Sequence, residues 1–255
     1  MEWVIVDDGS DCVRDLVEAA SIPQIKYVRM PHRVTLGRKR NVMHSHCTGD
    51  ILVYMDDDDY YPPERVSHAV EILEANPWAM VAGSSVMHIY FKHIDKIIEF
   101  GPYGPRHATA GTFAFRKELL QQTSYDDAAT TGEEKTFLKN YAVPLVQLEP
   151  RKVILCFSHE HNTFDKRILL QNPERTILKE TALKISDFVR DEAAIDFYLV
   201  QLPELLKSYE PGRREFSVRV GNRVLVGNEI LAHLNQQQAY IQKLETRIRE
   251  LSLKK

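Results

Sequence analysis

Four consecutive aspartates, Asp56 to Asp59, follow the apolar run Ile51 to Met55 and precede Tyr60-Tyr61-Pro62-Pro63. Carboxylates crowded onto one short loop repel one another. They either face open water or gather round a hard divalent cation, which takes oxygen ligands. The loop follows a strand, and open α/β sheets keep their ligand sites at the carboxyl ends of strands, so the position favours the cation.

Three other clusters carry chemistry. Val6-Asp7-Asp8-Gly9-Ser10 reads as a strand ending in acids and a tight turn. A carboxylate there can accept a hydrogen bond from a bound base, although an Asp-Gly turn or a helix cap is the plainer reading. Gly37-Arg38-Lys39-Arg40-Asn41 opens a helix, and basic residues in a first turn oppose the helix dipole. Arg38 and Arg40 are therefore candidates for contact with an anion such as a diphosphate, whereas Lys39 reads as part of a solvated face. Gly132-Glu133-Glu134 opens another helix. One carboxylate suffices to complement that dipole, which leaves the other as a candidate general base. Ser158-His159-Glu160-His161-Asn162 closes a strand, and each histidine could ligate a metal or touch phosphate. A His-x-His pair is more often an ordinary loop feature.

These clusters need elements to position them. The pattern predicts strands at 3 to 6, 26 to 29 and 51 to 55. Helices are expected at 12 to 20 and 37 to 47, with a third opened by Pro62-Pro63 and ending near Ala75. Such alternation predicts an α/β fold with a mostly parallel sheet and helices on both faces. The β-rich stretch 79 to 100 predicts antiparallel strands at Met80 to Ala82, Val86 to Phe91 and Lys96 to Phe100. Gly101-Pro102-Tyr103-Gly104-Pro105 predicts a mobile loop over 101 to 109, followed by a strand at 110 to 115 and a helix at 117 to 122. Further on come a helix at 133 to 141, strands at 145 to 148 and 153 to 157, and helices at 173 to 190 and 193 to 207. A β-hairpin, 216 to 220 with 223 to 226, turns at Gly221-Asn222. Beyond Asn228, Leu234, Ile241 and Ile248 fall at a, with Leu244 and Leu251 at d, of a heptad. This spacing suits either a parallel homodimer through residues 230 to 251 or a helix packed on its own domain. The expected division is 1–170, a helical extension 171–210, the hairpin 211–228 and a last helix 229–255.

With 255 residues, 44% hydrophobic, the chain can bury a substantial core. Its formal charge of -3 gives no general attraction for nucleic acid or anionic membranes. Cys12, Cys47 and Cys156 lack CxxC spacing, which argues against a disulfide framework or a zinc site and fits a reducing compartment. No apolar stretch reaches the roughly 18 to 20 residues that span a bilayer, so a cytoplasmic location is expected.

Taken together, Trp3 to Ser10 (WVIVDDGS), Gly37 to Asn41 (GRKRN), Gly49 to Pro63 (GDILVYMDDDDYYPP), Gly111 to Arg116 (GTFAFR), Gly132 to Glu134 (GEE) and His159 to Thr163 (HEHNT) resemble, in order and spacing, the family 2 glycosyltransferases of GT-A fold. The resemblance covers about residues 2 to 165. It implies a Rossmann-like sheet and transfer of a sugar from a nucleoside diphosphate donor, UDP-linked, to an acceptor hydroxyl of a glycan, lipid or protein, with inversion. It also implies Mn2+ or Mg2+ as cofactor. By the same resemblance Asp8 pairs with uracil beside Asp7, and Arg38, Arg40, Asn41, Asp56 and Asp57 complete the donor site. Asp58 binds the metal with Asp56 and His159, His159 being placed ahead of His161 by its spacing from Asn162. Glu134 is the implied catalytic base, where the family carries Asp, and Gly111, Thr112 and Glu133 fall on the acceptor side. The family's first strand has no counterpart before Trp3, so a noncatalytic scaffold that dimerises through its last helix is the alternative expectation.

Overall fold

A computed structural model describes residues 1–159, 161–162, 165–171, 177–209, 217–220, 223–226 and 228–252. Strand β1 (Trp3–Asp7) and strand β2 (Ile25–Arg29) pair in parallel across helix α1 (Arg14–Ala20). The apolar run Trp3 to Val6 has the pattern of a buried-type strand, but Trp3 is 53% exposed and only Asp7 of the strand is buried. The reason is local. Among the described residues β1 pairs with β2 alone, and α1 buries none of its side chains.

The first four-stranded sheet shows how period-two alternation builds the core. It runs β3 (Ile51–Val53), β7 (Ala114–Arg116), β4 (Val81–Gly83), β8 (Leu145–Gln147), with β4 and β8 parallel and the other two pairings antiparallel. Cross-strand register sets Leu52, Phe115, Val81 and Leu145 in one row and Val53, Ala114, Ala82 and Val146 in the next. The first row packs with Phe113 and with Phe137 of the short helix α4 (Glu134–Phe137). Met43 of helix α2 (Leu36–His46) joins it. The second row packs under Ala69 and Leu73 of helix α3 (Arg65–Ala75).

A second sheet, in the order β10 (Leu178–Glu180), β6 (Lys96–Phe100), β5 (Met87–Phe91), β9 (Leu155–Ser158), shares that α3 cluster through Ile89, Ile98 and Cys156. Leu169 and Leu170 of helix α5 (Ile168–Gln171) pack there too. Its other face, Tyr90, Ile97, Leu155 and Phe157, is covered by Ile185, Phe188 and Val189, by Ala194 and Ile195 of helix α6 (Glu192–Asp196) and by Tyr198 and Leu199 of the π-helical turn (Phe197–Gln201) that leads into helix α7 (Leu202–Lys207). β5 and β6 are antiparallel, as expected for this β-rich stretch.

Several expected elements differ. The helix expected over 173 to 190 is replaced by β10, antiparallel to β6, and a 3-10 turn at Ile185–Asp187; residues 172–176 lie outside the described set. The open edge of β6 supplies hydrogen bonds that outweigh a weak local helix preference. The strand expected at 110 to 115 begins as a 3-10 turn, Ala110–Thr112, and the helix at 117 to 122 is also 3-10, Lys117–Gln121. α4 stops at Phe137 because Lys139, Asn140 and Tyr141 take φ of 51°, 56° and 62°. The loop expected to be mobile is tied down: Gln147 Nε2 donates to Pro105 O and His107 O, and Tyr103 N–H donates to Ser85 O. Beyond these, β11 (Ser217–Val220) and β12 (Arg223–Val226) are antiparallel, and helix α8 spans Asn228–Ser252. The turn Gly221-Asn222 and Phe216 lie outside the described residues. No described helix is long and apolar enough to cross a membrane.

Candidate active site

The site is organised around α2. Its second residue must be small, since a Cβ on Gly37 would lie 2.0 Å from Asp126 O. The 125–129 loop therefore closes onto the helix, with Gly37 N–H donating to Ala129 O at 3.0 Å. One turn on, Asn41 grips the same loop, donating to Tyr125 O and Asp127 Oδ1 and accepting from Tyr125 N–H. Its amide is thus committed to structure.

Arg40 is only 5% exposed. Its guanidinium lies over the Tyr54 ring at 4.5 Å and the Tyr125 ring at 5.6 Å. Nη2 stands 3.1 Å from Glu133 Oε1 and 3.7 Å from Asp56 Oδ1. Burial alone would weaken the Arg40 charge, but Asp56, Tyr125, Tyr54 and Glu133 outweigh it and hold the proton above the ordinary arginine range. This one cation joins α2, the aspartate loop and the start of α4.

At the end of β1 the two acids separate. Asp7 is saturated: Oδ1 accepts from Gly9 N–H and Arg29, and Oδ2 from Val13 N–H and the Tyr27 hydroxyl. Burial would raise its pKa, but those hydrogen bonds and the Arg29 charge bring it below the usual carboxylate value. Asp8 accepts from Val34 N–H at 2.9 Å through Oδ2 and pairs with Lys39 at 2.5 Å through Oδ1. Lys39, read from sequence as a solvated residue, is thus a partner of the candidate base-binding acid. Arg38 is exposed.

The aspartate loop is anchored from below by Arg65, a residue the motifs do not single out. It is 1% exposed, and its Nη2 donates to the carbonyls of Tyr54, Thr112 and Phe113. Burial brings its pKa down to about 10. Tyr61 also ties the loop, accepting from Asp56 N–H and donating to Gly111 O. Gly111 must lack a side chain here, for a Cβ would sit 2.7 Å from Asp56 Oδ2. Asp57 is exposed, and Asp59 turns inward to accept from Phe157 N–H, with Lys166 Nζ 3.6 Å away. Burial pushes the Asp59 carboxyl up to about 7 despite that lysine.

Asp58 faces His159: Oδ2 lies 3.6 Å from Nε2, and Asn162 Nδ2 donates to both at 2.8 Å. With Asn162 as donor, Nε2 is the unprotonated nitrogen, and a metal would take its lone pair in place of the Asn162 amide. A carboxylate and an imidazole at this spacing fit a divalent cation such as Mn2+. Among the described residues no group of three or more His, Cys, Asp or Glu gathers there, so a bound cation would fill its remaining positions with donor oxygens and water. His161 lies apart, its Nε2 3.1 Å from Leu206 O.

The acceptor-side candidates divide likewise. Thr112 is fully buried, its hydroxyl donating to Thr109 O and accepting from Ser84 N–H. Glu133 is buried against Arg40, while Glu134 is partly exposed. Burial, with Glu133 adding to it, raises the Glu134 pKa above the usual range, against the opposing pull of Arg40.

The family model described as glycosyl transferase family 2 matches residues 1–127. A curated Haemophilus influenzae protein named an uncharacterized glycosyltransferase is 33% identical over 76 residues, which is 30% of this chain and 26% of that one. Among solved structures, S. aureus TarS 1-349 in complex with UDP-GlcNAc superposes with a TM-score of 0.51 at 17% identity, covering 82% of this chain and 64% of that one. Mannosyltransferase PcManGT from Pyrobaculum calidifontis, in complex with GDP-Man and Mn2+, gives 0.50 at 17% identity, covering 81% and 63%. The chain thus spans about a quarter of the curated relative and less than two thirds of either structure. At such identity the structural likeness is one of fold.

Proposed function

We propose that this protein moves a sugar from a nucleoside diphosphate sugar to an acceptor hydroxyl, inverting the anomeric carbon, a reading supported by the match of the glycosyl transferase family 2 model to residues 1–127. The observation that carries the reading is the Arg40 junction, which draws Asp56 of the acidic loop and Glu133, beside Glu134, to one guanidinium. The complexes of TarS with UDP-GlcNAc and of PcManGT with GDP-Man and Mn2+ support a nucleotide-sugar donor. The uridine assignment rests on Asp8. Lys39 and Val34 N–H orient its carboxylate, which keeps lone pairs for a uracil N–H.

Asp58 and His159 would hold the cation. When bound, it supplies the positive charge that offsets a departing diphosphate. Arg38, exposed at the start of α2, adds to that charge. Glu134 accepts the acceptor hydroxyl proton as the oxygen attacks the anomeric carbon, and its raised pKa makes it a stronger base. Glu133 is engaged by Arg40 at 3.1 Å and is thereby kept out of that role. A parallel dimer through α8 belongs to the same reading, since Leu234, Ile241 and Leu244 are 58%, 54% and 45% exposed at heptad a and d spacing.

Glu134→Gln tests the reading. The variant should bind a UDP-sugar as the parent does in the presence of Mn2+, and turnover should fall by about a hundred- to ten-thousand-fold. Undiminished turnover would remove Glu134 from the mechanism.

A further inference from the structure

Tyr103, His107 and Tyr141 form a row of rings that the catalytic reading leaves unused. The centroids of Tyr103 and His107 lie 5.0 Å apart with planes at 51°, and those of His107 and Tyr141 lie 5.1 Å apart at 34°. Two segments deliver them, and both reach the candidate site. The first is the loop tied by Gln147, which continues four residues past His107 to Gly111, packed on Asp56. The second is the turn after α4, which ends in Tyr141 seven residues beyond Glu134.

That turn is costly. Three successive side-chain-bearing residues, Lys139, Asn140 and Tyr141, adopt left-handed φ, at about 1–2 kcal/mol each. Strain of this kind persists where the orientation of a group matters. Its product is a Tyr141 ring laid against His107, with Tyr103 extending the row into solvent at 40% exposure. Among the described residues nothing hydrogen-bonds the hydroxyl of Tyr103 or Tyr141. Arg106, Lys139 and Asn140 form an exposed polar rim.

We infer that Tyr103, His107 and Tyr141 are the acceptor platform, and that the acceptor is a carbohydrate whose ring stacks on them. This inference rests on the transferase reading. Aromatic faces carry negative charge density, and a pyranose offers a face of weakly positive C–H groups edged by hydroxyls. Ring-sized apolar faces with free phenols and a charged rim match that pattern. A lipid tail would instead call for a continuous apolar groove. Burial lowers the His107 pKa, which keeps the central ring neutral at pH 7.

The test uses the full chain and saturation-transfer NMR with soluble tetrasaccharides of glucose, mannose and N-acetylglucosamine. Hydrolysis of UDP-sugars and GDP-mannose is measured alongside. At least one tetrasaccharide should bind through its C–H protons. Tyr103→Ala, a change at an exposed position, should weaken that binding about tenfold, and Tyr103→Phe should largely preserve it. Trp78→Ala, at an aromatic residue 59% exposed that is not part of the row, should have no effect. If no tetrasaccharide binds while donor hydrolysis persists, or if binding ignores Tyr103→Ala, the platform is overturned and the transferase reading stands. If tetrasaccharide binds but no donor is bound or hydrolysed, the transferase reading falls instead.

Discussion

The Arg40–Glu133 pair invites a double-mutant cycle. Both residues are 5% exposed and their side chains meet at 3.1 Å, so Arg40→Met leaves a buried carboxylate without its counter-charge. Removing one partner of a buried pair costs about 3–5 kcal/mol. Glu133→Leu should cost less, about 1–3 kcal/mol, because Arg40 keeps Asp56 and the faces of Tyr54 and Tyr125. Replacing both with apolar residues removes both desolvation penalties, so the double variant should be no worse than Arg40→Met alone. The coupling energy is then at least the Glu133→Leu cost, about 1–3 kcal/mol, within the range that contacting residues show. Asp56→Asn gives the contrast: at 3.7 Å, with Asp56 38% exposed, its loss should cost under about 1 kcal/mol. Urea unfolding without metal or nucleotide, followed by tryptophan fluorescence, measures the four species of the cycle and the Asp56→Asn variant. A coupling below about 0.5 kcal/mol would mean that the two charges do not depend on each other and that the junction does not hold the site together.

Two further outcomes follow from buried or exposed groups. Burial, helped by the Arg40 charge, lowers the His44 pKa to about 4. The unfolded chain therefore takes up a proton that the folded one refuses. Stability should be level above the ordinary histidine value of about 6.5 and fall as pH drops from there to about 4, by up to roughly 3 kcal/mol from this residue. Unfolding free energies measured across that window should show a shallower slope for His44→Gln; an unchanged slope would refute the assignment. For α8, sedimentation should find the parent chain dimeric and a Leu234→Glu, Ile241→Glu, Leu244→Glu variant monomeric, and a monomeric parent would dismiss the helix pairing.

Much of this protein was determined by its linear pattern. The continuous apolar run at Ile51 to Val53 and the Val81-Ala82 pair are enough to predict strands, and β3 and β4 lie there with side chains in both core clusters. Acidic residues at the ends of β1 and β3 and basic residues opening α2 mark where charge collects, because each type suits only a few places along an element. What the pattern does not decide is partnership. Adjacent Glu133 and Glu134 are chemically alike, and only the packing of α4 against Arg40 buries one and leaves the other partly open. Lys39 gains its meaning from Asp8, thirty-one residues earlier, and Asn41 from a loop more than eighty residues later. β10 becomes a strand because β6 has an edge to pair, and Thr112 is spent on Ser84 and Thr109 because the 3-10 turn faces inward. Such choices turn on hydrogen bonds and desolvation between distant segments, which are worth more than local propensity and have no counterpart in a window of neighbouring residues.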